Sequence, residues 1–153
     1  MMLPTCKSFY KVLSNQSDIY KDNGLYDFRF ALLEEISFTH NQWEVALCDI
    51  QLTKPAKSAF DASIWVCCNI VAETQVGAKK EQLLRRINTS GIKGTTFYAS
   101  FTDKIYLPIT CLSIREIHIT IKGLKHAKTA EALPQGRQQV PTTLTLHFRQ
   151  REK

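Results

Sequence analysis

Close to its C-terminus the chain alternates without a break, Thr143-Leu144-Thr145-Leu146-His147-Phe148-Arg149. Successive side chains of a β-strand point to opposite faces, so a two-residue period puts Leu144, Leu146 and Phe148 on one side and the threonines, His147 and Arg149 on the other. This is the pattern of a half-buried strand, and it ties this end of the chain into a sheet.

The same reading along the sequence gives eight strands: Phe9 to Leu13, Tyr26 to Leu33, Trp43 to Leu52, Ile64 to Val71, Gln82 to Ile87, Thr95 to Phe101, Leu112 to Ile121 and Thr142 to Arg149. Turn residues separate them at Lys21-Asp22-Asn23-Gly24, at Thr39-His40-Asn41-Gln42 and at Ser90-Gly91-Ile92-Lys93-Gly94. Between Ile114 and Ile117 the alternation changes phase, which predicts a bulge at Arg115-Glu116. Leu124 to Leu133 is rich in helix formers but has a poor apolar face, so a surface loop or one short helix is expected there. Short strands at this spacing with no long helical period predict an all-β sandwich or barrel. The 153 residues suit one domain, 1–153, with a sizeable core.

No apolar stretch approaches the length of a transmembrane helix, and the first fifteen residues lack the apolar run of a secretory signal. A protein made in the cytosol and acting there or in the nucleus is expected. Five cysteines in no paired spacing fit neither a disulfide scaffold nor a zinc site. Cys48, Cys67 and Cys68 fall inside strands, where a free thiol behaves as a small apolar side chain.

Charge is uneven. Residues 1–76 carry six Lys/Arg and nine Asp/Glu, net −3, whereas residues 77–153 carry fourteen and five, net +9. Lys122, Lys125, Lys128, Arg137, Arg149, Arg151 and Lys153 are the candidate contacts to DNA or to an acidic capsid partner. An equally good account is a solvated basic face that keeps the protein in solution.

Nothing in the sequence predicts catalysis, a cofactor or a metal. The four histidines lie beside no nucleophile, the glycines form no phosphate loop, and Glu34 and Glu35, as strand neighbours, are expected to face opposite ways. His118 and His147 are expected to pack on the sheet or meet solvent rather than pair with Asp49 or Glu116. Trp43, Trp65, Phe28, Phe30, Tyr98, Phe101 and Phe148 are assigned to the core, while Tyr10, Tyr20 and Tyr106 are assigned to a partner surface because tyrosine joins a large contact area to a polar tip.

Taken in order, Phe9 to Asn15, Tyr20 to Asn23, Trp43-Glu-Val-Ala-Leu47, Val66 to Val71, Val76 to Arg86, Tyr106 to Ile109, Ile114 to Ile121 and Thr143 to Arg149 resemble the penton, or minor capsid, proteins of Maverick/Polinton elements and adintoviruses. The resemblance covers most of the chain. It departs from the family pattern in a shorter Lys54 to Ala62 loop and in Leu133-Pro-Gln-Gly-Arg137 before the last strand. It implies a single jelly roll of about eight antiparallel strands. It also implies a structural role in the virion, as homopentamers at the five-fold vertices of an icosahedral shell built from a double jelly-roll major capsid protein, with packaged DNA a further partner. The alternative is a small basic all-β nucleic-acid-binding module, suggested by the basic second half and the aromatics.

Overall fold

The computed structural model describes residues 8–38, 42–53, 59–89, 96–125 and 141–151, with backbone alone for 59–62, 124 and 125. Among these residues there is no helix. Eleven antiparallel strands run in chain order: β1 (Ser8–Ser14), β2 (Asp27–Ser37), β3 (Trp43–Thr53), β4 (Ala59–Cys68), β5 (Thr74–Val76), β6 (Lys79–Glu81), β7 (Leu83–Asn88), β8 (Thr96–Ser100), β9 (Leu107–Pro108), β10 (Ser113–Lys125) and β11 (Thr143–Gln150).

The first sheet has the order β1-β11-β3-β8, with β9 continuing the β8 side of β3, and the second has the order β2-β10-β4-β7. Among the eight long strands the pairing is nested. First pairs with last (β1·β11), second with seventh (β2·β10), third with sixth (β3·β8) and fourth with fifth (β4·β7). The chain is thus one long hairpin rolled up into two facing sheets. The eight expected strands are all present, and β5, β6 and β9 add to them.

The alternation of β11 is realised in full: Leu144, Leu146 and Phe148 are buried, and the strand is flanked on both sides by β1 and β3. They join Leu13, Val45, Leu47, Ile50 and Leu52 from the first sheet, and Phe28, Ile64, Val66, Ile117, Ile119 and Ile121 from the second, in one core. Each of these side chains, fully buried, contributes about 2 kcal/mol. At one end of the core Phe148 stacks on Phe9 at 4.8 Å and on Phe38 at 6.0 Å, and Trp43 tilts against Phe9 and Phe38.

The β1–β2 connection is pinned by two asparagines. The Asn23 side chain accepts from the Arg29 N–H and donates to the carbonyls of Arg29 and Asn15. Asn15 accepts from the Thr142 N–H through Oδ1 and donates to the Gly24 carbonyl. Two short side chains thereby satisfy backbone groups that the ladder leaves unpaired.

Several expectations are corrected in detail. The phase change in β10 is real, since Ile114 and Ile117 are both buried. The excess residues lie on its partner, however: Arg115 alone stands opposite Leu32–Glu35 of β2, between the pairs Ile114↔Ile36 and Glu116↔Ala31. Glu34 and Glu35 consequently leave the ladder, and both are exposed. β4 starts at Ala59, inside the expected 54–62 loop, and ends at Cys68. There Asn69 and Ile70 turn, leaving Val71 in a single bridge to Ile109. Trp65 is not in the core. Its neighbours Ile64 and Val66 point inward, which turns the indole outward. Tyr98 likewise lies on the outer face beside buried Phe97. The 39–41 and 90–94 turns and residues 126–133 of the expected loop or helix lie outside the described residues, while Leu124 and Lys125 continue β10.

Candidate functional site

The outer faces of the two sheets differ in what they leave uncovered. On the second sheet the outward side chains are largely matched. His118 Nε2 meets Asp27 Oδ1 at 2.5 Å, and Glu116 takes the Tyr20 hydroxyl at 2.8 Å and Arg29 at 3.5 Å. Arg115 meets Glu35 at 3.2 Å and Lys122 meets Glu81 at 2.8 Å. Such exposed pairs contribute little stability individually.

The first sheet carries a stacked row instead. Tyr10 on β1 lies flat on His147 of β11 at 4.3 Å, and Tyr106, just before β9, meets the edge of the same imidazole. The Tyr106 hydroxyl is 2.7 Å from His147 Nδ1, and with the ring proton on Nε2 it is the donor. The Arg149 guanidinium covers the Tyr106 ring at 3.3 Å from its centre and donates to Glu44 at 2.6 Å. This row crosses the sheet from β1 to β9 and covers Ala46 beneath it, which is fully buried although it lies on the outward parity. Burial holds the His147 pKa below its ordinary 6.5, and Lys104 and Arg149 push it the same way. The ring is therefore neutral at neutral pH.

The face leaves large side chains open at its two edges. Tyr10 and Val12 on β1 are 60% and 65% exposed, and Tyr98 on β8 is 63% exposed. Their backbones are poorly suited to extend the sheet. Lys11 sits on the inward parity of β1 between Phe9 and Leu13, and β8 is only five residues long. An inward charge and a short strand both discourage edge-to-edge pairing. The side chains, not the ladders, are what this face offers.

Of the basic candidates, Arg149 belongs to this row and Arg151 follows it, exposed, with its N–H on the Gln42 carbonyl. Lys122 is on the outer face of the other sheet, held by Glu81, so the structure does not bring it together with Arg149. Lys125 ends β10 with backbone alone described, and Lys128, Arg137 and Lys153 lie outside the described residues. Of the three surface tyrosines, Tyr10 and Tyr106 both contact His147 on the first sheet, while Tyr20 is tied to Glu116. Sequence reasoning placed His147 on a strand and missed its role as the hub between two tyrosines. Its position four residues into an alternating strand, opposite Tyr10, is visible only once the register is known.

Cys48, Cys67 and Cys68 are buried, and burial raises each thiol pKa, that of Cys68 to about 12. Protonated thiols of this kind are poor nucleophiles. Among the described residues no group of three or more His, Cys, Asp or Glu side chains is placed to hold a metal ion, and no helix is long and apolar enough to cross a membrane. No family model matches this chain, and no curated protein sequence matches it.

Proposed function

We propose that this protein is a jelly-roll capsid subunit that closes into a ring with copies of itself, as a penton does at a five-fold vertex. The nested pairing of the eight long strands supports the jelly roll, which is this wrapping of a long hairpin into two sheets. Fold alone does not carry a function. The observation that carries this one is the outer face of the first sheet, where uncovered apolar side chains sit at both edges: Tyr10 and Val12 on β1, Tyr98 on β8.

Two unlike patches on opposite edges are what a head-to-tail contact needs. The β1 side of one copy meets the β8 side of the next, and the chain of contacts closes when the turn per subunit is one-fifth of a circle. Tyrosines suit such contacts, because a rigid ring buries a large area while its hydroxyl stays solvated. The resemblance to Maverick/Polinton and adintovirus pentons supplies the five-fold number, the double jelly-roll major capsid partner, and assembly in the virion. On this reading the protein has no catalytic role. The nucleic-acid reading has less support, because Lys122 and Arg149 face opposite sides of the sandwich.

The test is the solution mass by light scattering over a concentration series, for the parent and for Val12→Asp. A species five times the 17.5 kDa chain, reduced to monomer by Val12→Asp, is expected. A parent that is monomeric throughout and also fails to join shells of the major capsid protein refutes the reading.

A further inference from the structure

Cys67 points outward from β4 yet is buried, because the β5–β6 hairpin lies over that part of the second sheet. Gly77, at φ +62°, makes the tight loop between Val76 and Lys79 that lets the hairpin fold back. Between hairpin and sheet runs a trough. One end is a cavity of about 330 Å³ with Val76, Leu83 and Trp65 as its apolar walls, and the other is a smaller pocket of about 150 Å³. Both are lined by Cys67, Glu81 and Lys122, so the 2.8 Å Lys122–Glu81 pair crosses the trough between them.

We propose that this trough is a docking site for an acidic segment of a partner protein, with an aliphatic side chain of that segment seated between Val76 and Leu83. Charge complementarity selects the occupant. Lys79 and Lys122 line the larger cavity and Arg86 lies over Trp65, while the carboxylate present, Glu81, is already taken by Lys122. A carboxylate of the partner replaces Glu81 on Lys122, and the displaced Glu81 turns to solvent. The aliphatic walls require an apolar side chain beside that carboxylate, which a peptide provides and a phosphate backbone does not. One face of the Trp65 ring is already taken by Arg86 at 5.3 Å. The site is on the sheet opposite the ring-forming face, and the proposal does not depend on ring closure.

The full chain with Trp43→Phe keeps Trp65 as its one tryptophan, and its fluorescence is titrated with a short peptide of aspartates around one leucine. Its lysine counterpart and oligothymidylate serve as the two comparison probes. Saturable quenching by the acidic peptide alone is expected. Removing the internal competitor in Glu81→Gln tightens binding about threefold and Lys79→Gln weakens it about threefold, as for rim charges. Lys122→Gln, which leaves Glu81 facing the ligand, weakens it about tenfold. No saturation, equal binding of the lysine peptide, preference for oligothymidylate, or weaker binding by Glu81→Gln overturns the proposal.

Discussion

Gly123 is the position where one added carbon does most damage. It interrupts the β10–β4 ladder between Lys122↔Trp65 and Leu124↔Phe60, with φ at +103°. A Cβ built there lies 2.5 Å from the Ser63 carbonyl oxygen and 3.0 Å from the Ile64 Cα. Both are backbone atoms of a strand whose next side chains, Ile64 and Val66, are locked in the core, so β4 has little freedom to retreat. The left-handed backbone costs a residue with a side chain about 1–3 kcal/mol, and the overlap adds about 1–3 kcal/mol. Gly123→Ala is therefore expected to cost about 4 kcal/mol, a large share of the roughly 5–15 kcal/mol that holds a domain of this size. At about 3 °C per kcal/mol the thermal midpoint falls by about 12 °C. Gly77→Ala is the control, because Gly77 also has positive φ but nothing lies within 4 Å of the added carbon. It carries only the conformational cost, about 1–2 kcal/mol. Thermal unfolding followed by circular dichroism compares the two, and the reasoning fails if Gly123→Ala melts no lower than Gly77→Ala.

Phe148→Ala removes the ring on which Phe9 and Phe38 stack and is expected to cost about 4 kcal/mol, whereas Leu33→Ala, in the exposed excess of β2, stays within about 0.5 kcal/mol; urea titration separates them. Because the folded His147 pKa lies below its unfolded value, the unfolded chain binds the extra proton. The stability this residue contributes is thus full above about pH 6.5 and is lost as pH falls from there through the lower folded value. His147→Gln keeps an acceptor for Tyr106 without titrating, so the parent's thermal midpoint should fall relative to the variant's between about pH 7 and pH 5; a constant difference between the two counts against the neutral ring. Cys68, fully buried with its thiol pKa raised to about 12, should stay unlabelled by a thiol reagent at about pH 8 until the protein unfolds, and rapid labelling of the native chain contradicts that burial.

What the sequence made legible follows from what a two-residue period encodes. It tells which face a side chain takes, and so the spacing alone places Leu144, Leu146 and Phe148 in the core. Where both parities are apolar it is silent. Ile64-Trp65-Val66-Cys67 is a continuous apolar run, so spacing alone does not show that Trp65 faces outward. Three-residue strands such as β5 and β6 are too short to show any period, which hid the hairpin and the trough beneath it.

Pairing across strands is a separate kind of information. His118 finds Asp27, 91 residues away, rather than Asp49 or Glu116. β10 lies against β2, while Asp49 is on the other sheet, where it accepts from Thr145. Arg149 finds Glu44 across 105 residues because β11 is seated between β1 and β3. A period of two fixes the face, but the neighbour on that face is set by strand order and register, which arise from the packing of the whole chain. The seven basic candidates show the consequence. They share the basic second half of the sequence, and the rolled hairpin separates Lys122 from Arg149 onto opposite faces. The same roll brings Tyr10 onto His147 and Tyr106 onto Arg149, and so assembles on one sheet a surface whose parts lie at both ends of the chain.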